Sequence, residues 1–215
     1  MEVLIFANGD LAVTSQLTEL ISRVDAVYAA DGGANHCFKL NITPDILIGD
    51  LDSIDSSILA GYEDSGVEIY RYPTRKDVTD LEISLDLALS KGVQKIWLAG
   101  VLGGRWDMSL ANILLAAAQK YSCMHIGVLA ADCSIQILHP STEPCIVDSS
   151  LGDKITLLPL RDDIHGLSLK GFEYTLSNQT VEFGSSLGVS NVLKGKQASI
   201  EHTKGILLCI QFADN

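Results

Sequence analysis

The sequence predicts an α/β chain in two parts. A parallel sheet with helices on both faces occupies residues 1–140, and a smaller all-β sandwich or roll occupies residues 141–215. Three observations predict this. Short β-branched apolar runs alternate with helical patterns as far as about residue 140, the rhythm of strands joined by crossover helices. From Ser134 onward only strand-like runs remain, separated by Gly, Ser, Asn and Asp, as in antiparallel β structure. Between the two rhythms "HPSTEP" interrupts the chain, so the boundary is expected within His139–Asp148.

The strands of the first part are read at Val3–Ala7, Ala26–Ala30, Asp45–Ile48, Glu68–Tyr72, Lys95–Gly100 and His125–Ala130. All but Glu68–Tyr72 are rich in Val, Ile, Leu or Ala, as strands buried on both faces are. Helices are expected at Ser15–Arg23, Ala34–Leu40, Asp77–Lys91 and Asp107–Tyr121. In the third of these, Leu81, Leu85, Ala88 and Leu89 recur near the helical period. This order makes the first part a Rossmann-like domain. The second part has strand-like runs at Ile135–His139, Cys145–Val147, Lys154–Leu160, Gly166–Lys170, Thr180–Phe183, Ala198–His202 and Ile206–Phe212. "ASIEHTKGILLCIQF" predicts a hairpin turning at Thr203-Lys204-Gly205.

Composition narrows the function. The formal net charge of −12 argues against a basic face that grips nucleic-acid phosphates. It leaves nucleotides open, because a metal ion reconciles acids with phosphates. Five cysteines, an odd number without a CxxC pair, predict reduced thiols and a cytoplasmic protein. "MEVLIFANGD" has no basic leader and reads as a first strand. No apolar run reaches the roughly 18 residues of a membrane helix.

Ligands of a parallel sheet bind beyond the carboxyl ends of its strands. Four strand tips here carry polar clusters: "DGGAN" (31–35), "GDLDS" (49–53), "PTRKDVTD" (73–80) and "VLGGRWD" (101–107). In a parallel sheet these gather along one edge, bringing Asp31, Asp50, Asp52, Asp77, Asp80 and Asp107 together with Lys76 and Arg105. Crowded carboxylates repel one another unless a hard divalent cation such as Mg²⁺ takes their oxygens as ligands. Gly32-Gly33 and Gly103-Gly104 let backbone N–H groups approach an anion, and Arg105 can fork onto phosphate oxygens. Taken singly, each feature has a plain structural reading. Asp50 and Asp52 suit a solvated turn, Thr79 and Asp80 a helix start, and Gly pairs a turn. Those readings must explain four tips independently.

"DGGANHCFKLNITPDILIGDLDSI", then "RKDVTDLE", then "LGGRWD" and "LANI" together resemble the thiamin pyrophosphokinase family, in order and spacing and over nearly the whole chain. The late "GVSN" (188–191) resembles that family's Ser-Asn motif. The resemblance implies transfer of the pyrophosphoryl group of ATP to the hydroxyl of thiamin, giving thiamin diphosphate and AMP. It implies that Asp50, Asp52 and Asp80 hold Mg²⁺, with Asp77 beside them. It implies that Asp31, Gly32, Gly33, Asn35, Lys76, Gly103, Gly104, Arg105 and Asp107 meet ATP, and that Ser190 and Asn191 lie near thiamin. It further implies a homodimer with the thiamin site at the subunit interface, and neither nucleic-acid nor membrane partners. Either Asp77 or Asp80 is expected to take the proton of the thiamin hydroxyl. Met108 stands where many bacterial members have His, and Val78 where a polar residue is common. "ILIGDLDSI" also resembles the start of haloacid-dehalogenase-type phosphatases, a reading that leaves the other three tips without a task. A non-catalytic nucleotide- or thiamin-binding module is the remaining alternative, and retention of all three metal acids speaks against it.

Overall fold

The computed structural model describes residues 1–149 and 153–212. The chain forms two compact units, Met1–Ala131 and Asp132–Asn215.

The first unit alternates strand and helix. Its elements are β1 (Glu2–Phe6), α1 (Ser15–Arg23), β2 (Ala26–Ala30), α2 (Gly33–Lys39), β3 (Ile46–Gly49), α3 (Ser56–Asp64), β4 (Glu68–Arg71), α4 (Asp80–Ser90), β5 (Lys95–Ala99), α5 (Trp106–Ala116) and β6 (His125–Leu129), with a 3₁₀ turn at Gln119–Tyr121. The strands lie in the order β6-β5-β1-β2-β3-β4, every neighbouring pair parallel. The chain thus winds outward from β1 in both directions, and the order reverses between β1 and β5. Leu4, Phe6, Val27, Ala29 and Leu47 share one core with Leu17 and Leu20 of α1, Ala34 and Cys37 of α2, and Tyr62 of α3. The alternate residues Val3, Ile5, Tyr28, Ala30, Ile46 and Ile48 are as deeply buried. Side chains alternate along a strand, so both faces of this sheet are covered, and α4 packs on β2 and β3.

Three details differ from expectation. The helix α3 was not anticipated, because "SSILAGYED" shows little helical periodicity; Asp55 starts it, accepting from Ser57 N at 2.9 Å and Ser57 Oγ at 2.7 Å. The helix α4 begins at Asp80, not Asp77, because Thr79 Oγ1 caps it through Glu82 N at 3.2 Å. The helix α5 stops at Ala116, short of Tyr121, since Ala118 is extended (φ −62°, ψ 140°) ahead of the 3₁₀ turn.

The second unit contains β7 (Cys133–Leu138), β8 (Cys145–Asp148), β9 (Lys154–Pro159), β10 (Ile164–Lys170), β11 (Leu176–Val181), β12 (Asn191–Val192), β13 (Gln197–Glu201) and β14 (Leu207–Phe212). They form two antiparallel layers, β12-β9-β14-β7 and β11-β10-β13-β8. Ile155, Leu157, Leu207 and Cys209 of the first layer share a core with Val147, Leu167, Leu169 and Ile200 of the second, which makes a sandwich. The expected hairpin is absent. The strands β13 and β14 lie in different layers, because both edges of β14 are already paired, with β7 and β9. Among the described residues no helix is long and apolar enough to cross a membrane, and all five thiols are free.

Candidate active site

A cavity of about 510 Å³ opens in the first unit where the strand order reverses. Its lining comes from the tips of β1 (Ala7–Asp10), β2 (Ala30, Asp31) and β3 (Asp50), from Thr74, Lys76 and Val78–Leu81 before and within α4, and from Gly100, Val101, Gly103–Arg105, Met108 and Asn112 after β5. Ligand sites of doubly wound sheets lie at such a reversal. Backbone bonds fix the tips: Ala7 N to Ala99 O at 2.9 Å, Asp10 N to Leu102 O at 2.9 Å, and Asp31 N to Ile48 O at 2.7 Å.

The acids converge through unusual backbone. Asp31 (φ 44°) and Leu51 (φ 66°) occupy the left-handed region, which is strained for a bulky residue such as Leu. Leu51 is held there by burial of its side chain in the core of the sheet. Its turn directs Asp50 and Asp52 to one side, and Asp52 N–H donates to Asp50 Oδ1 at 3.2 Å. One carboxylate oxygen from each of Asp31, Asp50 and Asp52 lies within 4.8 Å of the others. Gly49 (φ 147°) makes the room: a Cβ there would meet Asp31 Cβ at 3.0 Å and Asp80 Oδ1 at 3.2 Å.

Asp80 is held separately. Lys76 Nζ lies 3.0 Å from Asp80 Oδ1 and 3.8 Å from Asp50 Oδ2, all three side chains being at most 23% exposed. Asp80 Oδ1 is buried and faces the Lys76 ammonium, and Asp31 Oδ1 is a buried oxygen with no hydrogen-bond donor among the described residues. Burial raises the pKa of Asp80 above the usual carboxylate range, against the pull of Lys76. Asp50 is lowered, first by the backbone N–H of Asp52 and further by Lys76 and Thr74. Burial works against the Lys76 ammonium, but Asp80, Asp50 and Asp31 outweigh it and hold its pKa up.

Of the residues expected in the site, Asp31, Asp50, Lys76, Asp80, Gly103, Gly104 and Arg105 line the cavity. Asp52 sits beside them, exposed. Asp77 is exposed and outside the lining. Asn35 instead ties the acid loop to α2, its Nδ2 donating to Ser53 O at 2.9 Å. Gly33 is required by packing, since a Cβ would lie 2.1 Å from Phe6 O, and Gly32 precedes it under the Asn8 side chain. Arg105 is exposed and forked onto Asp107, Nε to Oδ1 at 3.1 Å. In the second unit Ser190 (φ 58°) is exposed. Asn191 is buried, its Nδ2 donating to Tyr174 O at 2.8 Å and its Oδ1 accepting from Tyr174 N at 3.0 Å and Val192 N at 2.9 Å. The tip of β1, Asn8-Gly9-Asp10, was missed. "ANGD" after an apolar run is the same strand-then-turn pattern that marked the other tips.

Carboxylate oxygens are the donors Mg²⁺ prefers. One from each of Asp31, Asp50 and Asp52 converges, Asp80 Oδ1 lies buried nearby, and Gly49 keeps the space between Asp31 and Asp80 clear, so these residues fit a divalent cation.

Comparison with known proteins gives a consistent family. A family model for the thiamin pyrophosphokinase catalytic domain matches residues 17–128, and one for the thiamin pyrophosphokinase vitamin B1 binding domain matches residues 142–207. The chain is 31% identical over 210 residues to the thiamine pyrophosphokinase of Bacillus subtilis, covering 98% of each. It is 28% identical over 205 residues to thiamine pyrophosphokinase 1 of Arabidopsis thaliana, covering 84% of this chain and 76% of that one. The crystal structure of thiamine pyrophosphokinase from Bacillus subtilis superposes with a TM-score of 0.86 over the full length of both chains at 29% identity.

Proposed function

The chain belongs to the thiamin pyrophosphokinase family, and on that premise we propose how its residues divide the work of that enzyme. The reaction moves the pyrophosphoryl group of ATP to the hydroxyl oxygen of thiamin. The new bond joins that oxygen to the β-phosphorus, the bond from the β-phosphorus to the α,β-bridging oxygen breaks, and AMP leaves.

The convergence of Asp31, Asp50 and Asp52, with Asp31 Oδ1 buried and donor-less and Asp80 buried against Lys76, carries the reading. Asp50, Asp52 and Asp80, with Asp31, would hold Mg²⁺. When bound, the cation supplies charge neutralisation for phosphate oxygens and for the departing AMP. The loop at Gly103-Gly104 and the tip of β1 hold the phosphates and the nucleotide. Arg105 leaves Asp107 for a phosphate, a step its exposure supports. Asp80 is better placed than Asp77 to accept the hydroxyl proton, because it lines the cavity, whereas Asp77 lies outside. Positioning and fixed charge do most of the work.

The second unit takes thiamin near Ser190, with Asn191 fixing the backbone there. A homodimer is the assembly, supported by an exposed apolar stripe on α5, Trp106, Leu110 and Leu114, at successive intervals of four residues. Free thiols support a reducing compartment, the cytoplasm.

The decisive test is AMP formation from ATP with thiamin and Mg²⁺ supplied or withheld. AMP and thiamin diphosphate should appear in equal amounts only when all are present. Free phosphate released from sugar phosphates would favour a phosphatase, and ATP binding without turnover a binding module.

A further inference from the structure

We infer that Lys76 is the built-in counter-ion of the acidic site: in the metal-free protein its ammonium stands in for the divalent cation, and a cation entering the site displaces it. The inference rests on the reading that Asp50, Asp52 and Asp80, with Asp31, hold a metal ion.

The geometry is that of a placeholder. Lys76 Nζ stands between Asp80 Oδ1, at 3.0 Å, and Asp50 Oδ2, at 3.8 Å, and donates to Pro73 O at 3.2 Å. The Lys76 side chain is 14% exposed and that of Asp50 12%, so the pair is not a screened surface bridge. Removing one partner of so enclosed a pair leaves the other charge uncompensated. Two of the acids expected to hold metal are therefore already neutralised by the protein's own cation. They cannot surround a metal ion while an ammonium stands within contact distance of both.

Lysine suits the task better than arginine would. Its charge is a compact point on a flexible four-carbon stem, able to leave one set of oxygens for another. The stem is rooted in the loop before α4, which lines the same cavity. A displaced ammonium thus stays where phosphate oxygens can receive it. On this reading Lys76 also offsets the mutual repulsion of Asp31, Asp50 and Asp80, which would otherwise oppose folding.

The test titrates Mn²⁺ alone into the full-length protein, with no nucleotide, by electron paramagnetic resonance or calorimetry. Wild type, Lys76→Met, Lys76→Gln, Lys76→Arg and Asp50→Asn are compared, with circular dichroism to verify folding. Removing a positive charge within 4 Å of two ligand carboxylates should tighten Mn²⁺ binding by roughly 10–100-fold in Lys76→Met and Lys76→Gln. Lys76→Arg should keep wild-type affinity or weaker, and Asp50→Asn should lose binding. Without metal, Lys76→Met should melt below wild type, and Mn²⁺ should raise its midpoint more. Equal or weaker Mn²⁺ affinity in both neutral variants, with Asp50→Asn abolishing binding, overturns the placeholder and leaves the metal site standing. Absence of Mn²⁺ binding in wild type and neutral variants alike refutes the metal site itself, and the placeholder with it.

Discussion

Two polar groupings in this chain obey opposite rules. Around the tips of β2 and β3, Asp31 keeps a buried carboxylate oxygen without a donor, Asp80 at the start of α4 faces the Lys76 ammonium, and Leu51 accepts a left-handed backbone to bring Asp50 and Asp52 alongside. At β12 in the sandwich, Asn191 is more deeply buried, yet its amide makes three hydrogen bonds to the backbone of Tyr174 and Val192. A buried polar atom left unsatisfied costs about 1–3 kcal/mol. Both residue sets were singled out by sequence motif, and they differ in hydrogen-bond satisfaction; on the proposed function the acids are a ligand set and Asn191 braces the backbone beside Ser190.

The largest effect should come from breaking the acid grouping. Asp50→Asn and Asp52→Asn should each lower AMP formation by about 10²–10³-fold, measured with saturating Mg²⁺. A turn role alone would spare activity, since Asn caps and turns about as well as Asp. Stability without metal should divide the pair. Asp50 is within reach of Lys76, so Asp50→Asn should lower the thermal midpoint. Asp52 is exposed and makes no ion pair among the described residues, so Asp52→Asn should leave the midpoint unchanged or slightly higher. Near-normal turnover in both variants would sink the metal reading.

The brace should fail in the other way. Asn191→Ala strands the N–H and C=O of Tyr174 and the N–H of Val192, and should cost about 2–3 kcal/mol in urea unfolding. Ser190→Ala, on an exposed residue, should cost less than about 0.5 kcal/mol. Well below the melting temperature, Asn191→Ala should change the KM for thiamin less than it changes stability. A large rise in KM with intact stability would make Asn191 a ligand contact and dissolve the contrast.

The sheet was legible because buried parallel strands read as short apolar runs, and "ILIG" and "KIWLAG" can be little else. The acid tips were legible because parallel topology sends every strand end to one edge. What stayed hidden depends on local chemistry or on pairing across long separations. Two bonds from Ser57 to Asp55 start α3, and no periodicity announces it. The strands β13 and β14 look like a hairpin, but partners far along the chain, β7 and β9, claim both edges of β14. Motif spacing identified Lys76, Asp50 and Asp80 as neighbours. It did not reveal that Lys76 pairs with both acids, because side-chain direction in a loop has no sequence period to announce it.

The smallest expected effect tests whether every orphan atom marks a site. His202 is 6% exposed, and its Nε2 has no hydrogen-bond partner among the described residues. It lies in the second unit and does not line the cavity. Burial, and secondarily the charge of His139, lower its pKa below the ordinary 6.5, while backbone contacts at Gly205 and Leu138 oppose the shift. The unfolded chain therefore binds the proton first as pH falls. Stability is full above pH 6.5, declines as pH drops through that value, and levels off below the folded pKa. The slope is bounded by about 1.4 kcal/mol per pH unit for one proton, so a loss within that bound is expected as pH falls from 7.5 to 5.5, measured by urea unfolding. His202→Leu, whatever its baseline stability, should flatten that slope. Mn²⁺ binding should be the same in His202→Leu as in wild type, because this orphan nitrogen is a cost of the sandwich core and not half of a ligand site. A weakened Mn²⁺ affinity in that variant would mean that buried orphan atoms point to ligands in both units, and the contrast between acid tips and sandwich would have to be redrawn.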